Sequence, residues 1–327
     1  VLFAVFGTMV GLFGIGTFTQ VNGICGAVQN AFDPDKAAVA FSIGGNSYSW
    51  ATVIGGAVIT ISVALVVIGG LKRIAMVAEK IVPAMAIIYV FLGLSVLIMN
   101  ATKIPGAFAL IFNGAFGADT GMQAVAGATA GTIIRMAMQK GIARGIFSNE
   151  AGLGSAPIAA SAVQTNEPVE QGMVNMTGTI IDTLIICTMT GLSIVIAGGD
   201  VWNSGLSGAA LTSAAFSKVL GGDQHSVQFL LMLCLVFFAF TTILGWDYYS
   251  EKCLEYISNG NMAVVKVYRW IYILAVAIGP YMTISAVWTI ADITNALMSI
   301  PNCISLIVLS GIVAKETKTY FDRKPAL

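Results

Sequence analysis

The chain has 327 residues, 57% of them hydrophobic and 10% charged, whereas soluble domains carry roughly 25% charged residues. That composition excludes an ordinary soluble fold and predicts an integral membrane protein. Sixteen basic and sixteen acidic residues give a net charge of zero, so the basic surface needed to bind nucleic acid is missing.

Apolar runs of about 20 residues are each long enough to cross a hydrocarbon core of roughly 30 Å as a helix. They recur near 1–26, 51–70, 80–99, 121–162 (interrupted), 173–197, 226–250, 268–290 and 296–314. Eight spans predict that both ends face the same side. The first run opens at Val1 with no initiator methionine and no charged leader, which reads as a fragment lacking its N-terminal part. The connections alternate in charge. One set holds Lys72, Arg73, Lys80, Lys252, Lys266, Arg269, Lys315, Lys318, Arg323 and Lys324, and the other only Lys36, Lys103 and Lys218. The positive-inside rule therefore places the 71–80 and 251–267 loops and the 315–327 tail in the cytoplasm. The 165–172 loop, with Glu167 and Glu170 and no cation, falls on that side without supporting the assignment. The stretches 104–116 and 207–220 read as short helices across the outer face, either caps over a pathway or ordinary loop helices.

Polar groups inside spans must pair, line a cavity or cap broken backbone. The densest set is GIARGIFSNEAGLGSAPIAAS, residues 141–161. Its glycines predict unwinding near Ser148–Gly154 and a restart with Ser155 as N-cap and Pro157 in the first turn. Irregular backbone at membrane depth is tolerated where it lines a cavity or is buried in protein. Free N–H groups at the restart would draw an anionic group, and unwound carbonyls a cation. In the first span, Thr17, Thr19, Gln20 and Asn22 form a polar stripe that reads as cavity lining or as interhelical hydrogen bonding. Thr241 and Thr242 interrupt another apolar run. Their hydroxyls suit a hard cation, or bond their own backbone at i−4. Asp182 needs a partner, for which Arg135 or Arg144 is available, and structural pairing and ion coordination both stand open. Asp247, Glu251, Lys252 and Glu255 read as a solvated face, and Asp292 and Asn295 as a helix cap between the last two spans. The GxG at 14–16 follows no strand and carries no cofactor meaning. The five cysteines show no metal or disulfide spacing and are expected as buried thiols, and neither a nucleophile–base pair nor a metal set predicts an enzyme.

The stretches GIARGIFSNEAGLGSAPIAASA, QGMVNMTGTIIDTLIICTMTGL, FFAFTTILGWDYYSEKCLEY and VWTIADITNALMSIPNCISLIVLSG resemble the alanine or glycine:cation symporter family, also called the sodium:alanine symporters. The resemblance implies an all-α, leucine-transporter-type inverted-repeat bundle and import of a small neutral amino acid with sodium or, in some members, protons. The eight spans would be the third to tenth core helices, so that the N-terminal helices of the same chain are missing. Residues 1–120 would be the remainder of the first repeat, 121–314 the second repeat and 315–327 the cytoplasmic tail. Substrate would meet Gln20, Asn22, Phe147, Ser148, Asn149, Gly152 and Gly154. Sodium would meet Thr241, Thr242 and Asp182, with no other cofactor. Ala160 stands where the family commonly has His, and Glu170 where a basic residue is frequent. The competing readings are proton coupling, a non-transporting scaffold and an ion channel on the same fold.

Overall fold

The computed structural model describes residues 1–35, 37–43, 45–116, 130–150, 152–206, 208–221 and 224–323. Lys36, Lys324 and the 121–129 part of the interrupted span lie outside these. The chain is almost wholly helical. Helices α1 (Leu2–Phe13) and α2 (Phe18–Phe32) are followed by a hairpin of β1 (Val39–Ile43) and β2 (Asn46–Ser49), then by α3 (Trp50–Val67), α4 (Leu71–Met99) and α5 (Ile104–Phe116). Next come α6 (Ala130–Asn149), the single turn α7 (Ala156–Ala160), α8 (Pro168–Ile180), a π-helical stretch (Ile181–Cys187) and α9 (Thr188–Ala197). The chain ends with α10 (Gly199–Trp202), α11 (Gly208–Leu220), α12 (Gln224–Ile257), α13 (Met262–Ile278) and α14 (Ile284–Arg323).

Seven segments among the described residues are long and apolar enough to cross a membrane: Leu2–Phe32, Trp50–Val67, Leu71–Met99, Pro168–Ala197, Ser226–Ile257, Met262–Tyr281 and Ile284–Arg323. Their outward faces explain the composition. Phe91, Ile98, Ile307 and Val308 are each at least 70% exposed, a cost in water but not in hydrocarbon. Cys187 and Cys303 are exposed too, contrary to the expectation of five buried thiols, while Cys25, Cys234 and Cys253 are buried.

Several expected boundaries move. The first span is two helices, because the chain breaks at residues 14–17. The 71–80 loop is the start of α4, so Lys72, Arg73 and Lys80 ride on a helix and the turn is only residues 68–70. Likewise the 251–267 connection narrows to residues 258–261, where Asn261 caps α13 by accepting from the Ala263 N–H at 3.0 Å. The turn before the last helix falls at 279–283 rather than 291–295, since Pro280 and the 3₁₀ turn Gly279–Tyr281 end α13 there. Asp292 and Asn295 therefore sit inside α14 and are not caps. Residues 315–323 continue α14 as helix. The expected helices at 104–116 and 207–220 are present as α5 and α11, the latter described from Gly208. Lys218 of α11 bonds both carboxylate oxygens of Asp200 in α10, which holds that exposed carboxyl below its usual range. The β-hairpin was not foreseen. Its Tyr48 hydroxyl donates to the Tyr281 carbonyl at 2.7 Å and ties the hairpin to the 279–283 turn.

Helix α12 is central and packs on α1, α2, α3, α4, α11 and α13. Its main interface interleaves Ile243 and Leu244 with Val21 and Ile24 of α2, Val63 and Val67 of α3, and Tyr268, Tyr272 and Val276 of α13. A second core joins Leu231 and Cys234 to Tyr89 of α4, Met189 of α9 and Phe216 of α11. At the far end of α14, Tyr320 donates to Glu170 at 3.2 Å and Arg323 meets Glu167 at 3.7 Å. The end of α14 and the 161–167 connection thus share one side, as the alternation of spans requires.

Candidate functional site

The interruption in GIFSNEAGLGSAP is real and is seen at Glu150 and residues 152–155, slightly later than expected, so Ser148 and Asn149 remain helical. Glu150, Gly152 and Gly154 have φ of 53°, 75° and 85°, a conformation that glycine adopts without the Cβ penalty of other residues. Gly154 is also confined in space, since a Cβ there would lie 2.6 Å from Asn302 Oδ1 and 2.7 Å from Phe3. The Gly152 carbonyl accepts from Asn302 Nδ2 at 2.9 Å. Between them Leu153 is fully buried against Val10, Ile15, Trp246 and Met298. Ser155 occupies the N-cap position, as expected, but its hydroxyl does not cap the helix. It donates instead to the Glu150 carboxylate. The restart α7 has only five residues, too short to give the anion-drawing terminus predicted from sequence.

The π-helical stretch turns Asp182 and Thr183 toward the end of α6. Ser148 Oγ donates to Asp182 Oδ2 at 2.5 Å, and Thr183 Oγ1 donates to Asn149 Oδ1 at 2.8 Å. π-helical turns occur often at functional sites. Asp182 therefore bonds a hydroxyl rather than Arg144, one of the two arginines, with Arg135, that the sequence offered it. Arg144 meets Asp292 of α14 at 2.9 and 3.0 Å and lies 4.2 Å from the Trp288 ring centre. Phe147 packs beside it, 5.0 Å from the Trp288 ring.

A second break, at residues 14–17, faces the first. The Thr17 hydroxyl turns back to the Leu12 carbonyl at 2.6 Å, and the Tyr272 hydroxyl of α13 lies 3.1 Å from the Gly16 carbonyl. Side chains are excluded at Gly11 and Gly16, where a Cβ would come within 2.5 Å of Ser250 and Trp246 respectively. The GxG at 14–16, empty of cofactor meaning, is thus the signal for a broken helix seated on α12. Ile15 of one break and Leu153 of the other share the Trp246 cluster.

The remaining candidates are dispersed. Asn22 donates to the Met282 carbonyl at 3.0 Å and lines two open cavities of about 410 and 630 Å³, the first beside the hairpin and the second beside Gly205 and Ala209. Gln20 is half-buried and makes no side-chain hydrogen bond among the described residues. Gly154 lines a different cavity of about 520 Å³, bounded by Phe3, Pro157, Lys252 and Asn302. The packed cluster of Ile15, Leu153 and Trp246 contributes to the lining of none of these three cavities. Thr241 and Thr242 are half-buried, with hydroxyls on the Phe237 and Phe238 carbonyls at 2.9–3.0 Å. Each hydroxyl oxygen keeps lone pairs free. The solvated-face reading fails at Asp247 and Glu251, which are 0% and 9% exposed. Helical spacing turns them toward α13, a face that charge counting on one sequence leaves open.

The chain matches the sodium:alanine symporter family over residues 1–326. It is 46% identical over 323 residues to an uncharacterized transporter of Haemophilus influenzae, covering 98% of this chain and 65% of that protein. Identity is 40% over 324 residues to the sodium/alanine symporter AgcS of Methanococcus maripaludis, covering 98% of this chain and 64% of that protein. It is 36% over 302 residues to the probable sodium/glutamine symporter GlnT of Bacillus subtilis, covering 92% and 60%. The chain thus spans 60–65% of the length of these relatives. With its apolar spans, its glycine-broken helices and a family match along nearly its entire length, this multi-pass membrane chain belongs to the sodium:alanine symporter family.

Proposed function

We propose that the protein containing this chain imports a small neutral amino acid, alanine or glycine, by symport with sodium. Transport proceeds by alternating access on a leucine-transporter-type inverted repeat, with residues 1–120 in the first repeat and 121–314 in the second. The observation that carries this reading is the helix broken at Glu150, Gly152 and Gly154, held by backbone and side-chain bonds within a chain of this family. Broken helices at membrane depth are where such transporters bind substrate and ion. Substrate contacts fall to Gln20, Asn22, Phe147, Ser148, Asn149, Gly152 and Gly154, of which Asn22 lines the 410 and 630 Å³ cavities. Thr241, Thr242 and Asp182 supply oxygens to sodium, a hard cation. The protein lies in the cell membrane with its C-terminus in the cytoplasm, on the side favoured by Lys315, Lys318 and Arg323.

The test is uptake of labelled alanine into proteoliposomes by the protein at the length of its relatives. Sodium replaced by choline, at a fixed proton gradient, should abolish accumulation. Unchanged uptake in choline refutes sodium coupling. Competition by glycine, serine and glutamine ranks the substrates, and stronger competition by glutamine than by alanine refutes the small-substrate assignment.

A further inference from the structure

Helix α12 places two carboxylates one turn apart, Asp247 and Glu251, on the side facing α13. Glu251 is matched, since Arg269 of α13 donates through Nε and, at 2.9 Å, through a terminal nitrogen, with both side chains under 20% exposed. Asp247 is different. Its side chain is fully buried, and neither Oδ1 nor Oδ2 has a hydrogen-bond partner. The groups around it are engaged elsewhere. The Arg269 guanidinium holds Glu251, the Tyr268 hydroxyl points to the Thr8 carbonyl at 3.5 Å, and the Tyr272 hydroxyl lies 2.8 Å from the Ile243 carbonyl and 3.1 Å from that of Gly16. Helix α1 closes the other side through Gly7 on Cys253 and Gly11 on Ser250, and its sequence LFAVFGTMVGLF has no titratable side chain.

Counting charge, Asp247 and Glu251 ionised against Arg269 leave the cluster one positive charge short. A buried carboxylate without partner or counter-ion is strongly unfavourable, and the group is neutralised instead. A sodium ion would need a shell of several oxygens, yet the described cavities do not reach Asp247. A proton needs no such space and turns the acid into a donor for a nearby carbonyl. Because the described helices already enclose Asp247 completely, no further group can reach it without separating them.

We propose that Asp247 is a proton-binding site, filled when α1 lies against α12 and α13 as it does here. Parting α1 from α12 would admit water to the carboxyl and release the proton, so the packed arrangement is favoured as pH falls and the parted one as pH rises. The groups that face the site are Glu251 and Cys253 from α12, and Tyr268, Arg269 and Tyr272 from α13. This inference does not rest on the symport reading, and its test needs neither substrate nor an ion gradient.

Infrared spectra of the purified protein, with and without ¹³C in the aspartate carboxyl, decide it at a pH where surface aspartates are ionised. The expected result is one protonated-carboxyl band that shifts with the label, exchanges slowly in heavy water and disappears in Asp247→Asn. Glu251→Gln leaves Asp247 as the one acid beside Arg269, so by the same charge count it should convert the labelled protonated band into carboxylate intensity. Loss of carboxylate rather than protonated intensity in Asp247→Asn, whether sodium or nothing sits beside it, overturns the proposal. If that variant does not fold, the wild type still decides. The absence of a labelled protonated band, or one that exchanges at once, overturns the assignment to a fully buried aspartate.

Discussion

Replacing Gly152 and Gly154 separately by alanine should have unequal costs, because their surroundings differ although their dihedrals do not. Both have φ near +80°, where an L-residue with a Cβ costs roughly 1–2 kcal/mol. At Gly152 the nearest atom to an added Cβ is Cys303 Sγ at 3.6 Å, an ordinary contact. The expected loss there is about 1–2 kcal/mol, the backbone cost without a packing cost. At Gly154 the Cβ would meet Asn302 and Phe3 at 2.6–2.7 Å, and overpacking adds about 1–3 kcal/mol to the backbone cost. Gly154→Ala should therefore lose about 2–5 kcal/mol in all. Moving Asn302 aside would also break its bond to the Gly152 carbonyl, so the two positions are coupled through one side chain. Thermal unfolding in detergent, followed by a fluorescent thiol or tryptophan probe, measures the order. Alanine binding to the same samples by calorimetry should weaken in parallel. Equal destabilisation at the two positions, or normal substrate binding by Gly154→Val, would refute the reasoning that the break is a sterically specified site.

Thr241→Val and Thr242→Val should raise the sodium concentration for half-maximal uptake with little loss of folded protein, because each removes one oxygen and a hydrogen bond worth about 0.5–1.5 kcal/mol net. A double variant with unaltered sodium dependence removes both from the ion site. Arg269→Met should destabilise by about 3–5 kcal/mol, since it leaves the largely buried Glu251 carboxylate without its counter-ion. The double change Glu251→Gln with Arg269→Met should recover much of that loss in the same unfolding assay. Arg144→Lys keeps the charge but loses both the paired contact to Asp292 and the stacking on Trp288. At side-chain exposures of 39% and 51% a loss of about 1 kcal/mol is expected. A neutral result would mean that the aromatic stack is filled equally well by a lysine stem.

Composition and run length were enough to establish a multi-pass helical membrane protein, because the cost of unpaired backbone in hydrocarbon leaves helices as the solution for runs of this length. The glycines of 145–154 marked the broken helix by the same logic, as steric permission is written in the residue itself. Four outcomes were decided by the tertiary structure. The break at 14–17 exists because Gly11 and Gly16 meet Ser250 and Trp246 of a helix more than 200 residues away. Asp182 bonds Ser148 instead of Arg144 because a π-helical turn swings it toward α6 while Asp292 of α14 captures the arginine. The last turn moved to 279–283 because Pro280 ends one helix while Asp292 and Asn295 find partners or burial inside the next. Asp247 and Glu251, read along one strand of sequence as a wet helix face, are enclosed because α1 and α13 cover them. A helix carries its own hydrogen bonds and apolar period, so its existence is local information. Which face it buries, and against which charge, depends on neighbours far along the chain, and that choice belongs to the packed fold.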